Sequence, residues 1–546
     1  MELSLLLEGR RHLSDQLYHG VRRAILDGRL GVKERMPGSR ELARQLNVSR
    51  NTVLAAYGRL ISEGYLNSSI GSGTYVAPHF PNREQRLRRA PTKGSVRLSA
   101  FGNRLTPPQA IVPRRDLPFD FRPGVPDLRM FPMAAWRRVS ARQSKHLSAS
   151  TAYYGDAAGT AALRSAIARH FSHTRALHCT ADDVIVVSGT QQALDIVARI
   201  LIEPNDVVAV EDPGYPGAIA AFRALGAEIV PVPVDGEGIC TDRLPKNAKA
   251  LYVTPSHQFP LGFPLSLRRR RALLDWAVGA NAVIIEDDYD SEFRYGGRPL
   301  DSLQSLDTTG SVIYLGTFSK VLFPSLRVGF VVPPQSLRSP ILSVKWLTDR
   351  HTEIGEQHVI ASFIAEGHFG RHIRRMQRIY LDRQVTLLRA LALWMPYLQL
   401  VRSFAGLHLA GFLPPSFPVD ELISRAAATG VGLYALAPFY QTHARAGLIF
   451  GFGSCTVSDI SEGIRRVGNV CKAMGLREDG AFQSEVPNSH NKVAGAERDA
   501  AVGSSHSNLL CKLISAGGSG EQAALDPFKS FNRRLPSKPR VSPPEK

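Results

Sequence analysis

A chain of 546 residues with 44% hydrophobic content is too long for one ordinary core and predicts about two to four domains. Its 67 Lys and Arg outnumber 48 Asp and Glu, a formal charge of +19 that favours an anionic partner such as nucleic acid without choosing one. Five cysteines without a CxxC pair argue against a zinc ribbon or disulfide framework, and no apolar run nears the ~20 residues of a membrane span, so a cytoplasmic protein with no membrane partner and no metal is expected.

The opening MELSLLLEGRRHLSDQ is too briefly apolar for a signal peptide. Residues 1–79 then read as three helices and a hairpin. Ser14 is the expected cap of the first helix, with Leu17, Val21, Ala24 and Ile25 inward and Gly28 at its end. Ser39 is the expected cap of the second, with Leu42, Ala43 and Leu46 inward. After the Asn47-Val48 turn, Ser49 caps the third, whose inward face is Val53, Tyr57, Leu60 and Ile61. Two short helices across so short a turn have helix-turn-helix geometry, and the third helix exposes Ser49, Arg50, Asn51 and Thr52, which donate to phosphates and base edges. Tyr65-Leu66 and Thr74-Tyr75-Val76 flank Ile70-Gly71-Ser72-Gly73 as a hairpin wing. A three-helix docking module with incidental polar caps is the plain alternative.

Residues 80–117, rich in Arg and Pro with little apolar pattern, read as a basic linker. From 118 to 476, apolar runs such as Val184–Val187, Val207–Val210 and Ala282–Ile285 alternate with amphipathic stretches, which predicts an α/β domain on a mainly parallel sheet. Residues 477–546 turn to Ser, Gly, Asn, Pro and charge, a composition expected to stay largely disordered.

The α/β segment contains, in chain order, what pyridoxal 5'-phosphate demands: phosphate donors at a helix start, a carboxylate for the pyridine nitrogen and a lysine for the aldehyde. VVSGTQQALDIV reads as strand, turn and helix and offers Thr190 and Gln191 to a phosphate. EDPGYPG supplies Tyr215, and TPSHQFPLG supplies His257 and Gln258. VIIEDDYD puts Glu286, Asp287 and Asp288 at a strand end, where metal binding or a solvated turn is the bland alternative. GTFSKVLFPSLRVGF carries Lys320 after a strand-like run, with Arg327 seven residues on.

Two resemblances sharpen this. PGSRELARQLNVSRNTVLAAYGRLISEGYLNSSIGSGTYV resembles the GntR-family winged helix nearly end to end, which implies that Arg40, Ser49, Arg50 and Thr52 touch DNA; Ser69 stands where relatives usually carry a basic wing residue. The S-K-x-x-x-P-x-x-R-x-G string resembles the signature of fold-type I aminotransferases. That implies Lys320 as the cofactor lysine, Thr317 and Arg327 among the cofactor-binding residues, Asp287 at the pyridinium, with Asp288 or Glu286 as alternatives, and Tyr289 at the ring hydroxyl. It implies Tyr215 stacked on the ring, His257 or Gln258 at a ring oxygen, and Tyr154 reaching a partner subunit's phosphate. Arg445 is the candidate for an effector carboxylate, since the strand position usually holding that Arg is Leu448 or Ile449.

A winged helix ahead of an aminotransferase-like domain is similar to the MocR/GabR group of GntR-family transcription regulators over residues 12 to 474. The group's pattern implies a homodimer that binds a double-stranded operator, holds pyridoxal 5'-phosphate and responds to an amine, an amino acid or the cofactor. The alternative is an active aminotransferase that happens to carry a DNA-binding domain.

Overall fold

The computed structural model describes residue 9 and residues 11–69, 73–78, 97–105, 117–145, 153–295 and 300–475. The first helix, α1 (Leu13–Leu26), buries Leu17, Tyr18, Val21, Ala24 and Ile25, spaced to form one helical stripe. Its cap position is His12 in the left-handed region, so Ser14, expected as the cap, lies inside the helix. Helix α2 (Ser39–Gln45) also begins one residue earlier than expected. Gly38 holds the cap position, and the Ser39 hydroxyl accepts instead from Arg50 Nε at 3.3 Å.

Ser49 does cap α3 (Arg50–Ser62), its Oγ accepting from Thr52 N at 3.0 Å. Val53, Ala56, Tyr57 and Leu60 face inward, whereas Ile61, expected there, is exposed. At roughly 100° per residue, position 61 falls about 80° from Val53, on the margin of the stripe. Tyr57 also donates to Pro37 O at 3.0 Å, tying α3 to the entry of α2. Strands β1 (Leu66–Ser69) and β2 (Gly73–Val76) pair antiparallel with Leu66 opposite Val76 and Ser69 opposite Gly73. The expected wing tip, residues 70–72, lies outside the described residues.

Part of the segment expected as a linker is helical among the described residues. A short helix, Ala100–Arg104, is capped by Ser99 Oγ, and Arg104 Nε donates to Ala224 O at 3.0 Å. Sequence periodicity missed it because a single turn has no period to detect. The expected tail, 477–546, lies outside the described residues.

The large domain is built on eight strands. In chain order they are β3 (Ile185–Val187), β4 (Val207–Asp212), β5 (Glu228–Asp235), β6 (Gly238–Ile239), β7 (Ala248–Val253), β8 (Val283–Asp288), β9 (Val312–Thr317) and β10 (Gly329–Val332). Their order across the sheet is β3-β10-β9-β8-β7-β4-β5-β6. Neighbours run parallel except where β10 and β6 are involved, in agreement with the expected mainly parallel sheet. Strands β4, β9 and β10 are buried at every position, because helices cover both faces. Among those helices are α4 (Thr190–Leu201) and α5 (Pro216–Leu225), which pack Leu194, Val197, Ile219 and Phe222 against one face.

A long helix, α6 (His368–Trp394), leads into a smaller antiparallel sheet of β11 (Gln399–Leu400), β12 (His408–Phe412), β13 (Tyr434–Ala435) and β14 (Gly447–Gly451). The chain leaves the carboxyl ends of β3, β4, β7, β8 and β9 in loops that carry the expected cofactor residues, the place where ligands settle in open α/β sheets.

Candidate functional site

Three consecutive carboxylates end β8, and their neighbours give each a different task. Glu286 accepts from the backbone of Leu303 and Gln304 at 2.9 Å each, capping a short helix. Asp288 is taken by a cation: Arg175 Nε reaches its Oδ2 at 2.7 Å, and the Tyr314 hydroxyl reaches the same oxygen at 2.5 Å. Among the described residues, Asp287 accepts a hydrogen bond from the Tyr252 hydroxyl, 2.7 Å from Oδ2, and no other. The Oδ1 atoms of Asp287 and Asp288 are both buried without a partner among the described residues, but Asp288 already has a guanidinium on its other oxygen. Burial pushes the Asp287 carboxyl up to about 7, opposed by the Tyr252 hydrogen bond and by Lys320. Removal from water has the same effect on Glu211 below it, up to about 8.

Lys320 follows β9 and donates to Gly124 O at 2.8 Å. Gly124 has φ +71, and a Cβ there would stand 3.0 Å from Lys320 Nζ, so glycine leaves the amine room. Burial pulls the Lys320 ammonium below its usual value, against the pull of Asp290 and Asp287. Thr317 is buried at the end of β9, its Oγ1 accepting from Ser319 N at 3.1 Å.

A glycine turn and an arginine meet at the start of α4. Gly189 occupies the cap position with φ +85, and a Cβ there would come 2.7 Å from Arg327 Nη2. Arg327 lies across the turn and donates to Ser188 O at 3.2 Å. The amides of Gln192 and Ala193 turn back to Gly189 O, which leaves those of Thr190 and Gln191 at the positive end of the helix. The Gln191 side chain is turned aside to Gly217 O, 3.0 Å away.

Tyr289 hydroxyl lies 2.9 Å from His257 Nδ1, and both oxygens of Asp290 lie 3.1 Å from that same nitrogen. A carboxylate only accepts, so the shared proton sits on Nδ1, and Tyr289 must aim its own proton elsewhere. His257 Nε2 meets Ser403 Oγ at 3.1 Å. The ligand atoms of His257, Asp290 and His408 lie within 4.8 Å of one another, and His408 Nε2 donates to Pro260 O at 3.1 Å, which leaves its buried Nδ1 unprotonated and without a partner among the described residues. Gln258, expected at a ring oxygen, does not face the site. Its amide donates to Pro213 O and Phe259 O at 2.7 Å, and its oxygen accepts from Leu261 N, so the side chain braces the turn.

Tyr215, at the cap position of α5, lies 6.0 Å from the Phe259 ring and 6.5 Å from the Tyr252 ring, and so lines the same pocket as Asp287. Tyr154 is 77% exposed, with Arg350 stacked over it. Arg445 is exposed at the start of β14, its guanidinium 3.7 Å from the centre of the Phe412 ring, while Leu448 and Ile449 are fully buried. Arg445 therefore packs on an aromatic face. In the first domain, Arg40, Ser49 and Arg50 are exposed and Thr52 is half-buried, with Ser49 Oγ 2.8 Å from Thr52 Oγ1.

Residues 124–446 match the model for aminotransferase class I and II, and residues 13–76 match bacterial regulatory proteins of the gntR family. The probable rhizopine catabolism regulatory protein MocR of Rhizobium meliloti is 37% identical over 468 residues, covering 84% of this chain and 94% of that protein. The chain belongs to the MocR/GabR type of GntR-family regulators. Another MocR-type relative, the pyridoxine biosynthesis regulator PdxR of Corynebacterium glutamicum, is 33% identical, covering 80% of this chain and 91% of its own. Among solved structures, the α-aminoadipate aminotransferase LysN of Thermus thermophilus, complexed with N-(5'-phosphopyridoxyl)-L-leucine, superposes with a TM-score of 0.63 at 29% identity. It covers 69% of this chain and 97% of its own.

For this MocR-type chain, sequence reasoning missed Tyr252, Arg175, Asp290 and Gly124. The first three act on residues distant in sequence, with no local motif to mark them. Gly124 sits in an FRPG turn, where the Pro-Gly pair was the signal the sequence offered.

Proposed function

We propose that the large domain holds pyridoxal 5'-phosphate and that its occupancy or reaction with an amine, an amino acid or further cofactor alters operator binding by the winged helix. The observation that carries this reading is Asp287, a buried carboxylate that forms no ion pair among the described residues and lies within electrostatic reach of Lys320. A protonated pyridine nitrogen is the charge that such a carboxylate lacks. Lys320 would hold the cofactor at its aldehyde, Tyr289 at the ring hydroxyl and Tyr215 at the ring face. Arg327, Thr317 and the amides of Thr190 and Gln191 hold the phosphate. His257 acts through Tyr289, with Asp290 fixing the proton on Nδ1. When bound, the cofactor supplies an electron-withdrawing ring that stabilises negative charge beside an amine.

Tyr154, Trp346 and Leu347 are all exposed, with Arg350 stacked between Tyr154 and Trp346, which supports a homodimer sealed through this face. Ile449 sits in an apolar cluster with Phe412, Leu436 and Phe439, a poor receptor for a carboxylate. It favours an effector recognised by its amine, or the cofactor itself. An effector shifts the balance of states only by its difference in affinity between them.

The test is a titration of the full chain against a duplex enriched from a random library, with and without cofactor and a panel of amines. Ligand-dependent affinity with no turnover supports the reading. A second reading, an active aminotransferase, is favoured by the complete Lys320–Asp287–Arg327 set. Steady amino transfer on the order of 1 per second, with DNA affinity indifferent to ligands, selects it.

A further inference from the structure

Helix α6 buries Phe369, His372, Ile373, Met376 and Tyr380 along one stripe. Its opposite side carries Arg371, Arg374, Arg375 and Arg378, all exposed. At roughly 100° per residue these four fall within an arc of about 100°, a single stripe two turns long. With Met130 and Ile379 they line an open groove of about 400 Å³. Arg371 donates to Glu366 O and meets the His368 ring, and none of the four forms an ion pair among the described residues.

Nothing in the helix itself asks for this arrangement. Like charges three and four residues apart oppose helix formation, and Arg371 stands in the first turns, where the helix dipole disfavours a cation. Some arginines on the domain surface have acidic partners, as Arg465 and Arg466 have Glu462 and Arg425 has Glu421, while others, such as Arg137 and Arg389, form no ion pair among the described residues but stand apart and not in a row. The stripe sets four such cations in a row, unpaired among the described residues although Asp382 stands one turn beyond Arg378, and is all Arg, whose planar fork grips phosphate oxygens in pairs.

We propose that this stripe is a second contact for the backbone of the DNA that the winged helix reads, an inference that rests on the operator-binding role proposed above. From Arg371 to Arg378 the helix rises roughly 10 Å, a length of duplex that carries about six phosphate charges. The large domain is held close to that duplex. The chain from Pro78 to Arg97 spans at most roughly 60 Å, and just beyond it Arg104 is fastened to Ala224 O. So short a tether keeps the local concentration of DNA at the large domain high. The stripe adds affinity without reading sequence, and a cofactor- or effector-driven change in the large domain then has a direct hold on the DNA.

The test compares the full chain with R374A/R375A/R378A on two duplexes built around the same enriched operator. One is about 20 base pairs, two half-sites long, and the other about three times longer. The unmodified chain is expected to bind the longer duplex about tenfold more tightly and with a steeper salt dependence. The triple variant is expected to lose that advantage, with the slope of log affinity against log salt falling by about 2 to 3, and to match the unmodified chain on the short duplex. R374K/R375K/R378K should keep most of the slope, and an unchanged melting temperature shows that the fold is intact. Equal affinity of the unmodified chain for both duplexes overturns the inference while leaving the operator-binding role standing. A variant that weakens both duplexes alike also overturns it, as does one that loses binding only to phosphatidylserine vesicles. Failure of the unmodified chain to bind either duplex removes the operator-binding role itself.

Discussion

The two working regions use the same residue types in opposite circumstances. In the winged helix, Arg50 is exposed and held by one 3.3 Å contact to Ser39. In the large domain, Arg175 is 2% exposed and bound to Asp288 and Ser256. A surface reader displays its donors to a ligand that arrives from outside, so the local string nearly is the site. A buried pocket assigns roles by what is already taken: of three adjacent carboxylates, only the one with no backbone amide or guanidinium on it is left for a ligand. Breaking each region should therefore give different signatures, all-or-none in the pocket and graded at the helix.

The largest effect is expected at Lys320. Lys320→Ala should abolish the borohydride-trappable cofactor adduct seen by mass spectrometry while leaving operator binding measurable. An adduct that survives on another lysine would remove Lys320 from its role. Next comes the contrast between adjacent carboxylates. Asp288→Asn breaks a buried ion pair and should cost about 3 to 5 kcal/mol of stability in a denaturant titration. Asp287→Asn should leave the fold intact and weaken cofactor affinity by at least about 100-fold, some 3 kcal/mol, in an absorbance titration. Equal effects of the two on stability would mean that Asp287 is structural.

How far the sequence carried the reading follows the same divide. The capping Ser49, the Val53-Tyr57-Leu60 stripe and the wing pairing were legible because each is set by residues within a few positions. The sheet was legible in its buried apolar runs, though the reversal of β10 was not, since direction leaves no trace in composition. Lys320, Asp287 and Arg327 were named as cofactor candidates through motif strings. The resemblance favoured Asp287 and left Asp288 and Glu286 as alternatives, because what separates the first two in the fold is Arg175, more than a hundred residues away. Gln258 was misread for a related reason: its partners, Pro213 O and Phe259 O, are backbone groups that any sequence supplies.

A pH series sharpens the picture of the pocket. The Asp287 carboxyl is raised to about 7 in the fold against ~3.9 in the unfolded chain. The folded state therefore holds an extra proton between those values. Its contribution to stability is full below about 4 and is lost as pH rises through 7. The cofactor-free protein should lose several degrees of melting temperature between pH 5 and 8 relative to cofactor-free Asp287→Asn, which lacks the titrating group. Parallel curves would place the Asp287 charge in a better-solvated environment than the structure gives it.

At the reading helix, Arg50→Ala should weaken operator binding by about 1 to 3 kcal/mol if the side chain reaches a base, and leave cofactor affinity unchanged. The smallest expected effect is at the cap beside it. Ser49 Oγ accepts from Thr52 N at 3.0 Å, so Ser49→Ala removes the acceptor for an amide at the start of α3 and should cost about 1 kcal/mol, whereas Ser49→Gly should cost only a few tenths. In amide exchange on the full chain, that predicts roughly fivefold faster opening around Thr52 and Val53 for the alanine variant and little change for the glycine. The pair also divides the two tasks of one hydroxyl. If both variants lose DNA affinity equally while only alanine frays the helix, Ser49 touches DNA. If affinity follows the fraying, the hydroxyl serves the cap and presents Arg50 from below.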